Sequence, residues 1–136
     1  MEVELIRRAC KTDFDEALFE TFYSTGCRVS EVANMKISDI DFENEQIKVC
    51  GKGDKERFVL LTPRAALSLK FYFEKRHDDV DAVFVSETKG HKPLGKSSLE
   101  HMIKDIGKRS GINRNVTPHI IRHTTASHLL EHTDID

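Results

Sequence analysis

No stretch of this sequence stays apolar for long enough to cross a bilayer, which excludes a membrane-spanning helix. Met1-Glu2-Val3-Glu4 has nothing of a secretory signal. Cysteine is scarce. Cys10, Cys27 and Cys50 are odd in number, widely spaced and form no CxxC pair, so neither a disulfide framework nor a zinc knuckle is supported. A reducing cytoplasm is the expected setting. Internal repeats and low-complexity segments are absent. Gly51-Lys52-Gly53 lacks the rest of a GxxxxGK(S/T) loop. His119 and His123 have the spacing of HExxH, but Ile120 stands where the glutamate would be, so no zinc is expected. Tyrosine occurs only twice, at positions 23 and 72.

What is present fits one soluble domain with a real core. The 136 residues are 38% hydrophobic and 32% charged. A net charge of −2 does not announce a nucleic-acid partner, but its distribution is uneven. Residues 1–50 hold 6 basic and 11 acidic side chains, whereas residues 86–123 hold 8 basic against 3 acidic. A polyanion would be drawn to the second region.

Periodicity predicts a helix over residues 14–24, capped by Asp13 and stopped by Gly26, and a short helix from Arg28 to about Met35. Residues 39–42, 46–50 and 57–61 are short and β-rich, with polar turns at 43–45 and 52–55. They predict a three-stranded antiparallel meander with Lys52 in its second turn. The alternation of Ile47 with Val49 and of Phe58 with Leu60 marks its inward positions. Pro63 opens a helix to about Arg76. A loop through Val83-Phe84-Val85 follows, then a helix from Ser97 or Ser98 to Lys108, then one begun by Thr117. The fold class is α+β, mainly helical with one small sheet.

The segment Thr117-Pro118-His119-Ile120-Ile121-Arg122 carries the most information. Thr117 is a good N-cap and Pro118 suits the first helical position. At about 100° per residue, His119, Arg122 and His123 share a side with Ala126, Leu129 and Leu130. That spacing predicts polar residues at the head of an inward stripe, in a first turn whose free N–H groups favour an anion. A phosphate pocket is the expectation.

Three ordered boxes extend it: Thr25-Gly26-Cys27-Arg28-Val29-Ser30-Glu31, the hairpin from Gly51 to Arg57, and His119-Ile120-Ile121-Arg122-His123. In this order the sequence resembles the catalytic domain of the tyrosine recombinases, the phage integrase and Xer-type family. The resemblance implies that Arg28 and Arg122 clamp the scissile phosphate of duplex DNA. It implies that Lys52 protonates the departing 5′ oxygen, that His119 assists by proton transfer, and that Glu31 supports Arg28. Lys55, Arg57, Lys108, Arg109 and Arg114 are the expected DNA-binding cations. No cofactor or metal is implied. The family's tetrameric synapse implies a homo-oligomer on DNA, in a bacterial or phage nucleoid setting.

The family's nucleophilic tyrosine lies two to three dozen residues past the second arginine, and only fourteen residues follow Arg122. Residues 1–136 are therefore expected to be a catalytic domain incomplete at its C-terminus, without the N-terminal DNA-clamping domain. Tyr23 and Tyr72 are expected in the core, as is the Phe71-Tyr72-Phe73 cluster. His128 and His132 are expected on a polar helix exterior. Taken singly, Arg28 with Glu31 reads as a surface pair and Lys52 as a solvated turn residue. The alternative function is a DNA-binding or regulatory module that grips phosphate without cutting.

Overall fold

The computed structural model describes residues 1–88 and 90–133, with side chains of the last helix as far as His128. Lys89, the side chains of residues 129–133, those of Leu129, Leu130 and His132 among them, and residues 134–136 lie outside that description. The elements are α1 (Val3–Ala9), α2 (Asp13–Thr25), α3 (Val29–Ala33), β1 (Ile40–Asp41), β2 (Gln46–Cys50), β3 (Glu56–Leu60), α4 (Pro63–Glu74), α5 (Lys96–Ser110) and α6 (Pro118–Thr133). This is the expected mainly helical α+β architecture. Among the described residues no helix is long and apolar enough to cross a membrane.

The central element is α2, which packs against α4, α5 and α6. Phe14, Ala17, Leu18, Phe19, Thr21 and Phe22 are all buried, so the helix is enclosed on most sides. Its one buried acid, Glu20, receives a two-pronged bond from Arg7 and a further contact from Arg64. That carboxylate ties α1, α2 and α4 together. Thr12, and not Asp13, caps the helix: its hydroxyl accepts from the Asp15 N–H at 3.0 Å. No local pattern predicts a helix before residue 13, yet α1 forms and packs on α5, with Ile6 buried.

The three strands pair antiparallel in chain order. Ile47 stands opposite Val59 and Val49 opposite Arg57. Directly opposed residues share a face, so Arg57 and Val59 point the same way as buried Ile47 and Val49. Phe58 and Leu60 are therefore on the outer face, 62% and 60% exposed, which corrects the expectation that they point inward. Residues 57–61 are apolar at both parities, and the register with β2 decides between them.

Val83, Phe84 and Val85 are expected as a loop and lack regular structure, but all three are buried. Bridges from Lys36 to Ala82 and from Val85 to Pro93 thread this segment through the molecule. The Phe84 ring meets Phe14 edge-on at 5.8 Å and stacks on Tyr72 at 6.0 Å. Tyr72 is thus a core residue, whereas Phe71 beside it is 45% exposed.

The last helix corrects a further expectation. Pro118, Ile121 and Thr125 form the buried seam of α6. His119, His123 and Ala126 are exposed and Arg122 is half-buried. Burying unpaired cations is costly, and the sequence offers a second, uncharged stripe one position out of phase.

Candidate functional site

The end of α2 organises the site. Gly26 stops the helix with a left-handed φ of 63°. Thr25 donates its hydroxyl to the Thr21 carbonyl at 2.8 Å and accepts from the Cys27 N–H at 3.2 Å. Cys27 is fully buried, and its burial raises the thiol pKa. This anchored turn leaves Arg28 at the N-cap of α3, exposed.

The helix carrying His119 and Arg122 docks on the same place. Thr117 caps it by accepting from the Ile120 N–H at 3.2 Å. One turn beyond Ile121, the Thr125 hydroxyl donates to the carbonyl of Tyr23, in the last turn of α2, at 2.7 Å. His128 Nδ1 is hydrogen-bonded to the Tyr23 hydroxyl at 2.8 Å. Two segments some ninety positions apart are thereby brought face to face.

Between them lies a cleft of about 780 Å³. Arg28 and Ser30 line one side, His119 and Arg122 a second, and Lys96, Glu100, His101 and Lys104 of α5 the third. Arg7, Arg57, Arg76 and Arg109 are each engaged with a carboxylate. Arg28, Arg122, Lys96 and Lys104 have no carboxylate partner within 4 Å among the described residues. Four unpaired cations around one acid make a site for an anion.

Arg28 and Ser30 also line an adjoining recess of about 530 Å³ with Glu31, Asn34, Cys50, Gly51 and Lys52. Lys52 begins a single 3-10 turn, Lys52–Asp54, between β2 and β3, and is exposed. The structure thus groups Arg28, His119 and Arg122 directly, with Lys52 next door across Arg28.

Glu31 is buried, and its Oε1 accepts from the Arg28 N–H at 2.9 Å. Its side-chain partner is Arg57, not the Arg28 guanidinium. Hydrogen bonds from Arg57, then from the Arg28 backbone, hold the Glu31 carboxyl below its ordinary range in spite of burial.

The five outlying cations fare differently. Arg57 is committed to Glu31, and Arg109 bonds Asp15 at 2.7 Å and the Ala9 carbonyl at 3.2 Å. Lys55 and Lys108 are exposed. Arg114 lines a separate recess behind His119, with Ile120 and His123. Sequence reasoning did not single out Lys96, His101 and Lys104. The available signal, for His101 and Lys104, was their spacing away from the buried Leu99, Ile103 and Ile106 on one amphipathic helix; Lys96, in its first turn, carries no such mark. Neither Tyr23 nor Tyr72 lines the cleft. Among the described residues no three His, Cys, Asp or Glu side chains gather as a metal-binding group.

Residues 1–136 match the phage integrase family. The chain is 39% identical over 120 residues to the tyrosine recombinase XerC of Chlamydia caviae, an overlap of 86% of this chain and 38% of that protein. It is 40% identical over 119 residues to the tyrosine recombinase XerA of Thermococcus onnurineus, covering 86% and 42% respectively. Among solved structures, the crystal structure of a XerA recombinase superposes with a TM-score of 0.85 at 37% identity, over 94% of this chain and 46% of that one. A XerH site-specific recombinase bound to its difH substrate gives 0.77 at 25% identity, over 96% and 41%. The chain spans less than half the length of each of these relatives.

Proposed function

This chain belongs to the phage integrase family of tyrosine recombinases, and from that premise we propose that it grips the scissile phosphate of duplex DNA in site-specific recombination. The observation that carries the reading is the convergence of Arg28, His119 and Arg122 on one cleft with unpaired cations. Phosphoryl transfer asks mainly for positioning and for charge stabilisation on the non-bridging oxygens. Two arginines supply planar, permanently charged donors for those oxygens. Lys52, on the hairpin beside Arg28, is the acid for the departing 5′ oxygen, and His119 moves a proton at the reacting phosphate. Lys96 and Lys104 extend the cationic wall along the neighbouring backbone.

In the covalent step a tyrosine hydroxyl gives its proton to His119 and attacks phosphorus, the bond to the 5′ oxygen breaks, and that oxygen takes a proton from Lys52. The phosphotyrosine keeps the bond energy for rejoining. Tyr23 is bonded to His128, and the Tyr72 hydroxyl accepts from the Val85 N–H. Neither lines the cleft, so on this reading the attacking tyrosine is supplied by a segment other than those carrying Tyr23 and Tyr72. The same observation favours the second reading, a module that binds DNA and does not cut it. Duplex DNA is the partner in both. A homo-oligomer on that DNA is the assembly the family implies.

Titration of duplex DNA across salt concentrations tests the clamp. The parent chain should bind with steep salt dependence. Replacing Arg28 and Arg122 together by alanine should lower the slope of log K against log salt by about 2, near 0.9 per lost phosphate contact. Affinity indifferent to salt, or to both substitutions, refutes the clamp. A nicked duplex separates the two readings. The recombinase reading expects a denaturation-resistant adduct only when a tyrosine-bearing segment is supplied. No adduct even then leaves the non-cutting module.

A further inference from the structure

We propose that Arg57 is a positioning residue, which holds the Lys52 hairpin against the Arg28 turn through the buried carboxylate of Glu31. The role of the two groups so held rests on the reading of the cleft given above; the coupling between them does not.

Arg57 lies on the inner face of β3, opposite Val49. Its Nη1 donates to Glu31 Oε2 at 2.5 Å and its Nη2 to Oε1 at 3.2 Å. That Oε1 also accepts the backbone N–H of Arg28 at 2.9 Å. One carboxylate, 5% exposed, thus binds a strand of the hairpin and the N-cap of α3 at once. A paired, charge-assisted fork of this kind fixes angle as well as distance.

Gly51 completes the contact. A Cβ at that position would stand 3.1 Å from Arg57 Nη1 and 3.2 Å from Glu31 Oε2, tighter than most real contacts, so the ion pair would have to give by a few tenths of an ångström. The chain therefore rests its backbone on the ion pair, and the next residue is Lys52. The Gly51 N–H donates to the Lys55 carbonyl at 2.8 Å, which closes the turn. Arg28, Gly51 and Arg57 meet on Glu31, so displacing any one of them moves the others. With its fork bound to Glu31, Arg57 acts on the site from behind and not as a DNA contact.

Amide hydrogen exchange on the free chain tests the coupling at the Arg28 and Gly51 N–H groups, with α4 amides as the reference. Arg57→Ala should speed exchange about tenfold at both sites together, with α4 protection kept. Arg57→Lys keeps a charge on Glu31 without the fork and should recover part of the protection. Unchanged exchange at either site overturns the proposal. Gly51→Val supplies a second variant that leaves Arg57 in place. It should speed exchange at Arg28, and an Arg28 amide unmoved by it overturns the coupling.

On duplex DNA, Lys52→Ala should weaken binding severalfold in the parent and by less than about twofold once Arg57 is alanine. Additive losses mean that Arg57 touches DNA independently, and the positioning role falls. A parent chain indifferent to salt and to Lys52→Ala sinks the DNA reading instead, with the exchange data still deciding the coupling.

Discussion

Replacing Arg76 by alanine should be among the most damaging single changes to this fold, although the residue lies far from the cleft. The guanidinium has five N–H donors, and the structure uses all of them. Nε and one Nη2 hydrogen go to the Asp78 carboxylate at 2.9 and 2.7 Å. The other three go to the carbonyls of Val80, Ala82 and Val83 at 3.0, 3.0 and 2.8 Å. Those carbonyls belong to the strandless segment that carries Val83, Phe84 and Val85 into the core. The Arg76 and Asp78 side chains are 9% and 7% exposed, so the pair is a buried one. Breaking a buried pair costs about 3–5 kcal/mol. At about 4 °C per kcal/mol for a domain of this size, the melting temperature should fall by about 12–20 °C. Arg76→Lys offers three donors for five acceptors and should cost about 2 kcal/mol. Urea denaturation at pH 7 measures both, and a cycle with Asp78→Ala gives the coupling. An Arg76→Ala protein within about 1 kcal/mol of the parent would refute the reasoning.

The same pair sets a pH signature. Arg76 is the main cause holding the Asp78 carboxyl at about 2, below its ordinary 3.8; His91, 3.9 Å away, adds a smaller pull. A carboxyl depressed on folding contributes stability that is present above about pH 4 and lost as pH falls towards 2. The parent should lose stability across that window more steeply than Arg76→Ala.

Two further outcomes follow from packing. Ile121→Ala opens a void where α6 meets the core and should cost about 2–5 kcal/mol; a thermal shift under 3 °C would count against Ile121 as the docking residue. Burial, the largest cause, pushes the Cys10 thiol up to about 12 and raises that of Cys27, while Cys50 is exposed. A thiol-alkylating reagent at pH 8 should therefore modify Cys50 first and the other two only on unfolding. Mass mapping that finds Cys27 modified in the folded chain would contradict its placement.

Much of this fold is legible in the sequence because local signals are strong there. Thr117-Pro118 announces the start of α6, Gly26 the end of α2, and the polar turns at 43–45 and 52–55 divide the strands. Two of the three boxes name Arg28, His119 and Arg122 of the cleft, and the hairpin box names Lys52 in the recess beside it. Facing is harder to read. In α6 two stripes compete, and only the end of α2, by bonding Thr125 through the Tyr23 carbonyl, selects one. In β3 apolar residues occupy both parities, and pairing with β2 turns Arg57 inward. The bond of Arg57 to Glu31 joins positions 26 apart and leaves no mark in either local pattern. Lys96 and Lys104 become part of the site only because α5 packs beside α3.

The docking of α6 onto the end of α2 also has a consequence for how the chain is made. Ninety-four positions separate Arg28 from Arg122. At about 5–20 residues per second, synthesis of that interval takes about 5–20 s. Throughout it, the Tyr23 carbonyl waits for Thr125, and Arg28 and Lys52 stand without the two residues that would share a phosphate with them. On the proposed reading the clamp is complete only when α6 emerges and seats. A nascent chain is, on that reading, kept from closing on the DNA or RNA around it until α6 has emerged, by nothing more than the order in which its residues are joined.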